Sequence, residues 1–132
     1  MESKKYRHPQ IFADVLVLYK QYFQAHSNLP KLFRVTIGSE ILSELSSLMR
    51  LITLANFKKE NSEDWKEAIS CLKDIRSRVE LLKSYFFVAW EMKLISHGFY
   101  ADVSNRIESI SKQAARWEAW IRKQLTNNKH RS

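Results

Sequence analysis

The sequence predicts an all-α protein, an antiparallel up-down-up-down four-helix bundle, on three observations. Gly and Pro number only two each in 132 residues, far fewer than the turns of a β-rich chain require. Four segments, about 9–25, 30–57, 62–96 and 100–125, repeat their apolar residues at helical spacing. The breaks between them are short, which makes consecutive helices antiparallel neighbours. The length fits one domain, 1–132, ending in a basic tail at 126–132.

In the first segment Ile11, Val15, Leu18 and Tyr22 form one stripe and Phe12, Leu16, Tyr19 and Phe23 the adjacent one, a wide apolar face. The break at 26–30 offers Asn28 as a cap and Pro30 for the first turn of the next helix. The second segment carries its core on Ile37, Ile41, Leu45, Leu48, Ile52 and Ala55, opposite a face of Ser39, Ser43, Ser46, Ser47 and Arg50. Lys58 and Lys59 close it, placing positive charge at the negative end of the helix dipole.

Ser62 is the expected cap of the third helix, with Glu63 and Asp64 at its positive end. Trp65, Leu72, Val79 and Phe86 alternate with Ala68, Ile75, Leu82 and Ala89 in a regular heptad, and the pattern runs on to Ser96. That is roughly 50 Å of helix at about 1.5 Å per residue. Gly98 is the expected left-handed stop. The fourth helix repeats the scheme with Val103, Ile110 and Trp117 against Ile107, Ala114 and Ile121.

A second stripe runs along the third helix: Leu81, Tyr85, Val88, Met92 and Ile95. A helix apolar on nearly all sides is covered on nearly all sides, so this stripe is the expected interface of a homo-oligomer.

The chain carries 22 Lys and Arg against 14 Asp and Glu, a formal net charge of +8. Such a charge attracts polyanions, which makes nucleic acid a partner class. Cys71 is the only cysteine, which excludes an internal disulfide and a cysteine-based zinc site; a packed, unreactive thiol is expected. No signal peptide is recognisable at the N-terminus, and the apolar run at 85–90 is far shorter than the ~20 residues of a membrane span. A cytoplasmic protein that does not engage membranes is expected.

Catalytic patterns are wanting. His8, His26, His97 and His130 fall at breaks or tips and none follows a glutamate by three residues, so the Glu-x-x-His pairs of di-iron bundles are missing. Gly38 and Gly98 lie on different helices and form no phosphate-cradling loop. Arg122 and His130 are too far apart for the Arg-His element of HEPN-type nucleases. A non-enzymatic protein without cofactor or metal is expected.

The basic residues sort by helix. Lys31, Arg34, Arg50, Lys58 and Lys59 load the second, and Lys73, Arg76, Arg78 and Lys83 the third. Arg106, Lys112, Arg116, Arg122 and Lys123 load the fourth, with Lys129 and Arg131 beyond. Cations on rigid helices track a phosphate backbone by charge without reading bases. Arg34 has a second reading, as a brace for the loop before its helix, and Trp120 stands between base stacking and packing at the bundle edge.

Leu29-Pro30-Lys31, Arg34 and Ile37-Gly38 resemble the apolar-Pro-Lys-x-x-Arg-x-x-apolar-Gly motif that opens the second helix in a family of small bacterial four-helix bundle proteins. That family includes proteins encoded in ribosomal-RNA intervening sequences and the accessory variability determinant of diversity-generating retroelements. Leu82-Lys83, Tyr100 and Ala119-Trp120-Ile121 match further elements in register, whereas the family's apolar-Gly-Arg in the fourth helix reads Gln113-Ala114-Ala115 here. The resemblance implies a homo-oligomeric ring, commonly a pentamer. On the accessory-determinant branch it implies binding to a reverse transcriptase and its template RNA or cDNA. On the other branch it leaves a structural or protein-interaction oligomer without a nucleic-acid role.

Overall fold

The computed structural model describes residues 9–57 and 59–131, without the side chains of 9 and 128–131. It is all-helical, with no strand among the described residues. Four helices account for it: α1 (Pro9–His26), α2 (31–56), α3 (Ser62–Glu91) and α4 (His97–Arg131). α2 is continuous but not uniform: an α turn Lys31–Phe33 passes into a π-helical segment Arg34–Gly38 and then into the α-helical run Ser39–Asn56. α1 packs on α2 and α4, and α3 packs on α2 and α4.

One core joins all four. Ile11, Val15, Leu18 and Tyr22 from α1 meet Ile41, Leu45, Leu48, Ile52 and Ala55 from α2, all buried. The α3 heptad is buried from Ala68 to Ala89, Trp65 being half-buried, and Val103, Ile107, Ile110, Ala114 and Ile121 supply α4. Each fully buried Leu or Ile contributes about 2 kcal/mol. The second stripe of α1 flanks this core: Phe12 and Tyr19 are half-buried and pack against it, Leu16 is half-buried and Phe23 exposed. A helix between two neighbours has room to bury only one stripe fully.

The helix ends depart from the sequence expectation. The α1–α2 corner has no side-chain cap; Pro30 occupies the N-cap position, and the Asn28 amide bonds to the Ala25 carbonyl. The cap of α3 is Asn61, one residue before Ser62: its side chain accepts from the Asp64 amide at 3.0 Å, while Asp64 accepts from the Glu60 amide. Lys59 closes α2 as expected of a terminal lysine, donating Nζ to the Ala55 carbonyl at 2.7 Å.

The largest difference lies between α3 and α4. α3 ends at Glu91, not near Ser96, and Gly98 is not its stop. The Leu94 amide reaches back to the Ala89 carbonyl and the Lys93 amide to Trp90, both at 2.9 Å, with Lys93 left-handed at φ 61°. This is a Schellman closure with lysine where glycine is usual. Gly98 instead sits in the first turn of α4, which begins at His97 behind a Ser96 cap that accepts from the Phe99 amide at 3.1 Å. α4 then runs past Leu125 to Arg131, so the stretch read as a tail is helical; Ser132 is outside the described residues.

A left-handed L-residue costs about 1–2 kcal/mol. Lys93→Gly is therefore expected to stabilise the protein by about 1 kcal/mol in urea unfolding. A loss of stability would show that the lysine side chain contributes more than its backbone costs.

Candidate nucleic-acid interface

The basic residues separate into those held by other groups and those facing water. Arg34, from the π segment of α2, donates Nη1 to the Ser27 carbonyl at 3.2 Å, bracing the preceding loop. Lys59 is held at the end of α2, and burial there, opposed by the nearby Asp64 charge, lowers its pKa. Arg78 donates to Glu44 at 2.9 Å and Asp74 at 3.1 Å. The Glu44 hydrogen bond does most to raise its pKa, against the cost of burial. Lys83 lies 3.3 Å from Glu80 and 3.8 Å from Glu108.

Arg76 and Arg122 converge on one carboxylate. Glu118 is buried and accepts from Arg76 at 2.9 Å and from Arg122 at 2.7 and 2.9 Å. Burial pushes its carboxyl pKa up, but the two guanidiniums together outweigh it and hold the group below the ordinary value. Arg76 thus joins α3 to α4, and Arg122 holds the same carboxylate from within α4. Charge-assisted bonds of this kind make both less available to a phosphate.

Lys31, Arg50, Lys73, Arg116 and Lys123 are exposed, as is Lys112. None of these six is in an ion pair with a described carboxylate. Lys58 lies outside the described residues, as do the side chains of Lys129, His130 and Arg131. Arg106 is half-buried, its Nε enclosed without a partner among the described residues. The separation of paired from open cations is invisible in the sequence, because Glu44 and Glu118 look like ordinary surface acids there.

Lys112, Arg116 and Lys123 share a strip of α4 with Trp120, which is 51% exposed and meets Trp65 at 5.8 Å and 60°. Beside them Asn105, Glu108, Ser109, Lys112 and Arg116 line an open depression of about 330 Å³.

The second stripe of α3 is shared between neighbours and solvent. Tyr85 and Val88 are half-buried, and burial followed by the charges of Glu40 and Glu44 pushes the Tyr85 hydroxyl pKa up, which sets it beside α2. Leu81 is exposed and Met92 is 58% exposed. Ile95 falls beyond the end of the helix and, with Leu94, packs back on the core. The stripe is therefore shorter than the sequence suggests. Other exposed apolar residues include Leu32 (74%) and Val35 on α2, Phe87 on α3 and, from the second stripe of α1, Phe23.

Cys71 is half-buried, and burial, then the carboxylates of Glu67 and Asp74, push its thiol pKa up against the charge of Arg50. The described residues contain no group of three or more His, Cys, Asp or Glu able to hold a metal ion, and no described helix is long and apolar enough to cross a membrane. No protein family, no curated protein and no solved structure matches the chain.

Proposed function

We propose that the protein is a non-enzymatic nucleic-acid-binding accessory subunit, an antiparallel four-helix bundle that works as a homo-oligomer. The observation that carries this reading is the set of exposed cations on rigid helices, Lys31, Arg50, Lys73, Lys112, Arg116 and Lys123, which remain open after the internal ion pairs are made. The antiparallel arrangement is supported by two sets of crossing bonds. Asp14 accepts from Gln113 while Gln21 donates to Asp102, and Arg76 meets Glu118 while Lys83 meets Glu108. In each set the numbers rise along one helix and fall along the other. The second-helix motif favours a partnership with a reverse transcriptase and its template RNA or cDNA, and a pentameric ring.

The exposed Leu32, Val35, Phe87 and Met92 favour assembly and equally support a second reading, an interaction oligomer that binds no nucleic acid. Fluorescence anisotropy with a labelled structured RNA, read across a salt series, separates the two. The first reading expects binding well above that of a size-matched basic protein, falling steeply with salt as counterions are released. Affinity no better than that control leaves the second reading. Light scattering showing a monomer at micromolar concentration removes the oligomer from both.

A further inference from the structure

We infer that the outer face of α4 is a track for an unpaired nucleic-acid strand, with the Trp120 ring as the platform on which a base stacks. Lys112, Arg116, Trp120 and Lys123 are spaced i, i+4, i+8 and i+11. At 3.6 residues per turn they fall within roughly 80° of arc and along roughly 16 Å of helix. All four are exposed. The inference rests on the nucleic-acid reading above and narrows its ligand to a strand with free bases.

The local charge favours such an occupant. Two carboxylates of the same helix are already engaged, Glu118 by Arg76 and Arg122 and Glu108 by Lys83. Lys112, Arg116 and Lys123 are left to oppose a phosphate backbone. Trp120 is anchored on one side by Trp65, which limits its rotation, while half its surface stays in water. Sequence-tolerant single-strand binding needs this combination, an aromatic face flanked by cations, because every base has a π-face. Arg122, one residue before Lys123, turns to the other side of α4 to bond Glu118 and takes no part.

The experiment uses the full chain with a fluorescein-labelled oligothymidylate and a duplex of equal length, comparing Trp120→Ala, Trp120→Leu, Trp120→Phe and Arg116→Ala. Trp120→Ala and Trp120→Leu are expected to weaken single-strand binding about 10-fold and duplex binding less than about 2-fold, and Trp120→Phe to restore most of the loss. Leucine keeps apolar bulk against Trp65 but offers no π-face, so it separates stacking from packing if the alanine variant unfolds. Arg116→Ala is expected to weaken both ligands and to lower the single-strand salt slope by about 0.7. Equal losses on both ligands, or leucine binding as well as phenylalanine, overturns the stacking role. If the unsubstituted protein binds neither ligand above a basic control, the nucleic-acid reading fails and the track with it. Salt-sensitive binding that is indifferent to Trp120 leaves that reading standing and refutes the track alone.

Discussion

Gly38→Ala is expected to lower stability by about 2 kcal/mol, although alanine is favoured over glycine in a helix interior by about 1 kcal/mol. The reason is the approach of α1. A Cβ at position 38 would lie 2.7 Å from the Tyr22 hydroxyl, 3.0 Å from His26 Cε1 and 3.1 Å from the Phe33 carbonyl oxygen. The first two atoms belong to a linked pair, since Tyr22 Oη and His26 Nδ1 are 2.9 Å apart. Burial pushes the Tyr22 pKa up to about 12, so its hydroxyl keeps its proton at neutral pH. The ring has little freedom to withdraw, being buried and packed edge-on against Phe86 at 5.8 Å. Overpacking costs about 1–3 kcal/mol, and separating the Tyr22–His26 bond about 1 more. Gly38 is also the last residue of the π segment of α2, which follows the buried Phe33 and from which Arg34 reaches back to Ser27. The measurement is thermal unfolding of Gly38→Ala alone and with Tyr22→Phe, which removes the closest atom. The alanine penalty is expected to shrink by about 1 kcal/mol in the phenylalanine background. A rise in Tm for Gly38→Ala on its own would mean that α1 yields and the contact sets nothing.

Wherever apolar residues recur in long runs, the fold was legible in the sequence. The heptad from Ala68 to Ala89 and the α4 stripe from Val103 to Ile121, the half-buried Trp117 apart, are buried as their spacing requires, because a helix with two neighbours has one consistent inward direction. The ends were less legible. Lys93 carries no sign of a left-handed stop, and the chain continues with Leu94 and Ile95 in what looks like further helical period. What ends α3 is local: the Trp90 ring stacks on Tyr100 at 4.7 Å and its Nε1 donates to His97 Nδ1 at 2.9 Å, clasping the first turn of α4. The π segment was hidden too, since no composition marks it beyond a glycine whose use depends on α1. The candidate site was half legible. Charge and residue type gave the cations, but which of them remain open depends on Glu44 and Glu118, whose burial follows from packing between helices. Arg34 is the exception, because its position just after Leu29-Pro30 already suggested a loop brace.

Arg78→Met is expected to cost about 3 kcal/mol while leaving the proposed nucleic-acid binding and its salt slope unchanged. Arg78 is the α3 half of a bridge to α2: its Nη1 donates to Glu44 Oε1 at 2.9 Å, and its Nε to Asp74 at 3.1 Å. Asp74 is partly open to water and gains an ordinary i,i+4 contact worth a few tenths of a kcal/mol. Glu44 is different. It is buried, with Leu45, Leu48 and Ile41 as core neighbours on its own helix, and Arg78 is the cation that satisfies it. Removing the arginine leaves a carboxylate enclosed without its partner, and breaking a buried pair costs about 3–5 kcal/mol, the lower end applying where one partner is partly exposed. The converse substitution distinguishes an uncompensated charge from a bond that stabilises outright. Replacing both residues, Arg78→Met with Glu44→Leu, is expected to return most of the lost stability, because an apolar pair of similar volume has no desolvation cost to offset. Urea unfolding of the two single variants and the double completes the cycle, with a coupling of about 2 kcal/mol expected. A double variant no more stable than Arg78→Met would locate the loss in packing of the arginine stem instead. Binding measured on the same variants tests the division of cations drawn above. If Arg78→Met weakens RNA binding as strongly as Arg116→Ala while the fold persists, Arg78 reaches a phosphate despite its bond to Glu44 and belongs with the ligand-facing cations.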